Sequence, residues 1–222
     1  MIKKIYNLVL SILKFKVVLD YNLMGLNRKR LFKIPQLTNY IRISNFELIV
    51  NEINEGNVKG NVAELGVYKG EFAKYINLAF PDRKFYLFDT FEGFDEKDVV
   101  IEKGNEFSSG EQDFTNTSIG EVMSKMPHKE NCIIKQGYFP DSLQGLEDTF
   151  CLVSIDPDLY KPILDGLEYF YPRLNKGGYI LVHDYNNDSY SGAKKAVREY
   201  CHRNNIPFTP LTDVWGTVVI AK

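Results

Sequence analysis

Cysteine is scarce, with Cys132, Cys151 and Cys201 alone in 222 residues. Their odd number, wide spacing and lack of a C-x-x-C pair argue against a zinc site or a disulfide framework, and point to reduced, partly buried thiols of a cytoplasmic protein. A basic excess is also missing: 27 Lys and Arg stand against 29 Asp and Glu, for a net charge of -2. Without surplus cations to release counterions from a phosphate backbone, no nucleic-acid partner is expected. Long apolar runs are absent too, because Lys14 and Lys16 interrupt the run that starts at Ile5. That excludes a membrane span there, and the segment also lacks the uninterrupted core and cleavage site of a signal peptide. Residues 1–23 read instead as an amphipathic helix that packs on the domain, joins a homo-oligomer, or makes peripheral contact with a membrane surface. There is no internal repeat or low-complexity tract. The length suits one α/β domain over residues 56–222 behind an N-terminal helical extension, or arm, over residues 1–55.

What the chain does contain is organised around residues 62–70. An apolar strand ending at Leu65 runs into a turn with Gly66 and Gly70, and a helical pattern with Phe72, Ala73, Ile76 and Ala79 on one face follows at once. Gly66 permits a sharp turn with no Cβ in the way of a ligand, and Gly70 lets the helix start close to the strand. Glu64 narrows the choice of ligand. A carboxylate there repels a pyrophosphate but accepts a hydrogen bond from an amino group, which favours S-adenosyl-L-methionine over a nicotinamide dinucleotide; G-x-G-x-x-G is also absent. The spacing resembles the E-x-G-x-G-x-G fingerprint of class I methyltransferases, with Tyr68 at the middle glycine.

A second strand closes on Asp89 and Thr90, which places an acid to accept hydrogen bonds from ribose hydroxyls. Residues 94–116 are acidic and without clear periodicity, as in a lid or binding loop. A helix follows over residues 117–126, with Thr117 or Ser118 as N-cap and Glu121 completing a capping box. The turn after the third strand begins at Gly137. Strand four ends in Asp156, Pro157 and Asp158, and a helix with Leu164, Leu167, Phe170 and Tyr171 on one face is stopped by Gly177 and Gly178. Strand five ends in His183 and Asp184. A helix over residues 191–203 and two closing strands complete a doubly wound, seven-stranded Rossmann-like α/β sheet with an antiparallel edge. Aromatic residues make up 14% of the chain; they suit a core and equally a pocket that stacks on a sugar.

Five stretches agree in order and spacing with one known family: residues 64–70, 87–94, 137–143, 156–160, and 171–174 through Asp184 and Tyr185. On them the chain resembles the macrocin O-methyltransferase family, which methylates hydroxyls on the sugars of macrolide antibiotics. The resemblance implies S-adenosyl-L-methionine held by Glu64, Gly66, Tyr68, Gly70, Asp89, Thr90, Ser118, Gly137 and Asp156. It also implies a divalent ion, usually magnesium (Mg2+), held by acids at the ends of strands four and five. Asp156 and Asp184 match two of them, and His183 stands where better-studied members carry a further acid.

His183 is thus either a metal ligand, a catalytic base or a structural imidazole, and Asp158 is either a ligand or a helix cap. Asp156, Asp184 and His183 form the candidate catalytic group. The expected activity is methyl transfer to a hydroxyl of a glycan or other small-molecule acceptor. The competing reading is a non-catalytic cofactor-binding scaffold in glycan assembly, favoured by His183 and by Tyr68.

Overall fold

A computed structural model describes residues 31–32 and 40–222. The amphipathic segment 1–23 lies outside the described residues. Residues 40–222 fall in one compact unit, so the helix α1 (Tyr40–Glu55) is built into the same body as the sheet.

The strands are β1 (Asn61–Leu65), β2 (Phe85–Asp89), β3 (Cys132–Gln136), β4 (Phe150–Ile155), β5 (Leu174–Val182), β6 (Thr209–Pro210) and β7 (Val218–Ala221). They lie in the order β3-β2-β1-β4-β5-β7-β6. The first five are parallel, while β7 runs antiparallel to both β5 and β6. Parallel strands covered on both faces read as continuous apolar runs, and every side chain of β4 is buried. Much of the aromatic content is spent here. Phe88, Phe139, Phe150 and Phe170 form a cluster with ring centroids 5.2–5.9 Å apart, edge-on in three pairs and stacked between Phe139 and Phe170.

The remaining helices are α2 (Ala73–Ala79), α3 (Glu96–Gly104), α4 (Ile119–Lys125), α5 (Tyr160–Arg173) and α6 (Ser191–Arg203). The chain winds outward from β1 to β3 and returns to β4. The carboxyl ends of β1 and β4 therefore flank the switch point where ligands bind in open α/β sheets.

Two sequence expectations change. Residues 94–116 are not wholly irregular, because α3 occupies 96–104, capped by Asp95 accepting from the Lys97 amide. Its buried positions are Asp98 and Glu102, so a real helical face carries no apolar period. The second change is at Gly177 and Gly178, which do not stop α5. That helix ends at Arg173, and both glycines lie inside β5 beside its irregular register with β4. A Cβ on Gly178 would come within 2.9 Å of the Cys151 carbonyl.

Candidate functional site

The glycine turn is shaped by the neighbouring strand as much as by any ligand. Gly66 has φ +83°, and a Cβ there would stand 2.5 Å from the Asp156 carbonyl carbon and 2.7 Å from the Pro157 nitrogen. Gly70, at φ +73°, faces Val122 of α4. Tyr68 keeps the left-handed backbone of the glycine it replaces, at φ 49°. Its ring packs edge-on to Phe114, 5.0 Å between centroids, and its hydroxyl donates to Asn116 Oδ1 at 2.6 Å. The segment after α3 is thereby folded down over the turn.

Asp89 binds the turn directly. Its Oδ2 accepts from the amides of Val67 and Tyr68 at 2.7 and 2.8 Å, and its Oδ1 accepts from the Phe91 amide at 2.7 Å. The acid expected to read ribose hydroxyls is therefore also the clamp that holds β1's turn against β2.

Two cavities open here. One, of about 100 Å³, is lined by Leu65, Asp89, Thr90, Gly137, Tyr138 and Phe139 among others. The second, of about 330 Å³, is lined by Arg42, Glu64, His183, Asp184, Asn187 and Trp215 among others. Gly66, Tyr68, Phe114, Asp156 and Asp158 line both, so the two cavities meet at the carboxyl ends of β1 and β4. Of the residues expected around the cofactor, Ser118 and Gly70 line neither cavity. Ser118 is spent as the N-cap of α4, accepting from the Glu121 amide at 3.1 Å.

Glu64 is buried, and its Oε2 has no hydrogen-bond partner among the described residues. Burial first, then the charge of Asp156, pushes its carboxyl well above the usual range. An unsatisfied buried carboxyl is costly, and an ammonium group arriving in the cavity would satisfy it. The site fits the amino-acid end of S-adenosylmethionine at this point.

Asp156, His183 and Asp184 come together as expected. Their ligand atoms lie within 4.8 Å of one another. His183 Nδ1 is 3.0 Å from Asp156 Oδ1 and 2.9 Å from Asp184 Oδ2. Asp184 Oδ1 accepts from Asn187 Nδ2 at 2.7 Å. Burial disfavours the His183 imidazolium, but the charge of Asp156 and the hydrogen bonds to both acids outweigh it and Arg42, and raise its pKa to about 10. At neutral pH the ring is a cation with no lone pair free to take a proton. Asp156 is buried, yet the charges of His183 and Arg42 hold its carboxyl far below the usual range.

Arg42 is the residue that the sequence reading missed. Its Nη2 donates to Asp156 Oδ2 at 2.9 Å, and its guanidinium lies over the Phe72 ring, 4.1 Å from the centroid. The signal was a cation on α1 one turn before Phe46, on the face that also carries Ile49 and Ile53. A charge on a buried face needs a partner.

Asp158 is the second surprise. The residue capping α5 is Leu159, without a side-chain cap bond, so Asp158 is not the helix cap. It holds φ 60°, and with Tyr68, Asp184 (φ 59°) and Trp215 (φ 67°) it makes four non-glycine residues in left-handed backbone lining the wider cavity. Such strain concentrates at functional sites. Burial, then the neighbouring charges of Asp184 and Asp156, raise its carboxyl well above the ordinary value.

The donor set does not suit magnesium. That ion requires near-octahedral oxygen coordination and dehydrates reluctantly. Here all four carboxylate oxygens of Asp156 and Asp184 face N–H donors or an imidazole nitrogen.

The sequence model of one family, described as macrocin-O-methyltransferase (TylF), matches residues 35–222. Among characterised proteins, the chain is 27% identical over 196 residues to the 8-demethyl-8-(2,3-dimethoxy-alpha-L-rhamnosyl)-tetracenomycin-C 4'-O-methyltransferase of Streptomyces olivaceus, covering 80% of this chain and 71% of that one. It is 27% identical over 179 residues to the mycinamicin III 3''-O-methyltransferase of Micromonospora griseorubida, covering 74% and 69%. Among solved structures it superposes on the O-methyltransferase NovP with a TM-score of 0.66 at 24% identity, over 82% of this chain and 79% of that one.

Proposed function

The chain belongs to the macrocin-O-methyltransferase family and is an O-methyltransferase, and from that premise we propose that it methylates a sugar hydroxyl with S-adenosylmethionine. The observation that carries the reading is the meeting of an aromatic-lined cleft and a wider polar cavity at Gly66, Tyr68, Asp156 and Asp158. A donor with its nucleoside in the first and its amino-acid end reaching Glu64 in the second would have its methyl beside an acceptor in the second, near Asp158.

When bound, S-adenosylmethionine supplies a methyl carbon on a positively charged sulfur. Glu64 would hold the amino group, and the cleft of Thr90, Tyr138 and Phe139 the nucleoside. Holding the methyl and the acceptor oxygen in line supplies much of the rate by proximity. Asp158 is the base. The hydroxyl proton passes to its carboxylate as the oxygen–methyl bond forms and the methyl–sulfur bond breaks, which leaves a neutral thioether. His183, already charged, fixes Asp156 and Asp184 and sets a positive charge close to where oxygen loses its proton.

The acceptor class is argued from the chain's one tryptophan. Trp215 lines the wide cavity, is 56% exposed and sits at φ 67°, its carbonyl accepting from the Asn186 amide at 2.8 Å. An indole held open at the mouth of a polar cavity suits one face of a sugar ring. The two relatives named above, one of them a methyltransferase of a rhamnosyl-tetracenomycin, lend the same direction. Trp215→Ala should raise the KM for a glycoside or nucleotide-sugar acceptor by about tenfold, the loss of one stacking contact, and leave S-adenosylhomocysteine affinity unchanged in calorimetry. An unchanged KM would remove the sugar-stacking role.

A further inference from the structure

The polar cavity, whose lining also carries Glu64, Glu71, Asp158 and Lys69, holds one tightly paired group at its centre. In it the carboxylates of Asp156 and Asp184 meet Arg42 and His183. Arg42 Nη2 takes Asp156 Oδ2 at 2.9 Å, and His183 Nδ1 takes Asp156 Oδ1 and Asp184 Oδ2 at 3.0 and 2.9 Å. Asn187 Nδ2 takes the last oxygen, Asp184 Oδ1, at 2.7 Å. A guanidinium cannot give up its charge inside a protein. This one is also held in place from behind, stacked on Phe72, which in turn packs edge-on to Phe46 of the same helix.

An ion bridging Asp156 and Asp184 would have to strip these donors and then sit beside a permanent positive charge that shares one of its ligands. We infer that the guanidinium of Arg42 is a built-in cation standing where the family resemblance implies a divalent ion, so that methyl transfer in this chain needs no metal. The inference rests on the methyltransferase reading and concerns only how the positive charge at its centre is supplied.

Arg42 acts through Asp156 as a positioning residue. It pins Oδ2 of that carboxylate and occupies the coordination side an ion would use. His183 Nδ1 bridges the two acids, within hydrogen-bond reach of Asp156 Oδ1 and Asp184 Oδ2. Two acids this close repel one another unless a cation lies beside them. In this chain the permanent cation there is Arg42, on Asp156 Oδ2.

The test uses full-length protein freed of metal, with Mn2+ as the probe followed by electron paramagnetic resonance, and S-adenosylhomocysteine followed by calorimetry. Wild-type protein should bind S-adenosylhomocysteine and leave Mn2+ free in solution. The double variant Arg42→Ala/His183→Asp, which removes the guanidinium and the imidazole and adds a carboxylate, should gain Mn2+ affinity by about 10–100-fold, the scale on which groups around a metal tune its binding. Arg42→Lys, which keeps the charge, should stay as free of Mn2+ as wild type.

Tight Mn2+ binding by the wild type would overturn the inference, whether or not either variant folds. So would a folded double variant that gains no Mn2+ affinity and instead loses S-adenosylhomocysteine, since Arg42 would then be a partner of the cofactor's carboxylate. Failure of the wild type to bind S-adenosylhomocysteine at all would strike the methyltransferase reading itself, a result distinct from both.

Discussion

Asp158→Asn should lower turnover by about 10²–10⁴-fold, the usual contribution of a positioned base, with S-adenosylhomocysteine affinity intact. Asp156, Asp158, His183 and Asp184 all line the wide cavity, and Asp184 has both oxygens taken, by His183 and by Asn187. Asp156 is held by Arg42 and His183 on both oxygens, far below the ordinary carboxylate range, and is a poor proton acceptor for that reason. His183 has its pKa raised to about 10 and already carries a proton at neutral pH. Asp158 lines both cavities, and its carboxyl is more basic than an ordinary aspartate because of burial and its neighbours Asp184 and Asp156. The pH dependence has a definite sign. Only the deprotonated carboxylate accepts a proton, and the raised pKa keeps the acid form to higher pH, so turnover should rise as pH rises through that pKa. The Asn variant should lose this limb. Steady-state kinetics across pH checks both points. An Asp158→Asn enzyme with normal turnover and an unaltered profile would move the base elsewhere.

Gly66→Ala should be the most disruptive single change on the glycine turn. The φ of +83° costs a residue with a Cβ about 1–2 kcal/mol. The new methyl would also press on the backbone of Asp156 and Pro157, where forced overpacking costs a further 1–3 kcal/mol or so. Backbone cannot swing aside as a side chain does, so the end of β4 must move, and Asp156 and Asp158 with it. We expect S-adenosylhomocysteine binding to be lost and Tm to fall by roughly 5–15 °C, on a scale of about 2–4 °C per kcal/mol for a chain of this size. Gly145 supplies the contrast. Its φ is +72°, but a Cβ there would meet nothing within 4 Å. Gly145→Ala should therefore cost only the conformational part and leave binding intact. Equal effects of the two substitutions on binding would show that the close approach at Gly66 is unimportant.

The sequence was most legible where period and chemistry coincide. β4 is a continuous apolar run bounded by polar residues, and α6 an amphipathic helix; both fall at residues 150–155 and 191–203 as read. The acids at strand ends were legible because an open parallel sheet leaves few other places for them. Legibility failed where burial is polar. The face of α3 that packs inward carries Asp98 and Glu102, with Glu102 Oε1 accepting from the Tyr160 amide at 2.6 Å, so hydrophobic periodicity passes over it. Arg42 failed for a related reason. It belongs to no motif, and its partner Asp156 is 114 residues away in sequence, so only the fold brings the pair together. Asp158 was ambiguous because an acid just before a helix reads equally well as a cap, and backbone at φ 60° cannot be seen in a sequence. His183 falls at the end of β5 between Asp156 and Asp184, but its electrostatic surroundings, two carboxylates and a guanidinium converging from three elements, are set only by the fold.

The most direct measurement follows the methyl group itself. Purified protein, S-adenosylmethionine with an isotopically labelled methyl, and a panel of nucleotide sugars and glycosides would be combined, and the products fragmented by mass spectrometry. The expected result is label on a sugar oxygen, one S-adenosylhomocysteine released per methyl transferred, and loss of the product in Asp158→Asn. Cofactor binding with no transfer to any carbohydrate, or label found on nitrogen or carbon, would contradict it.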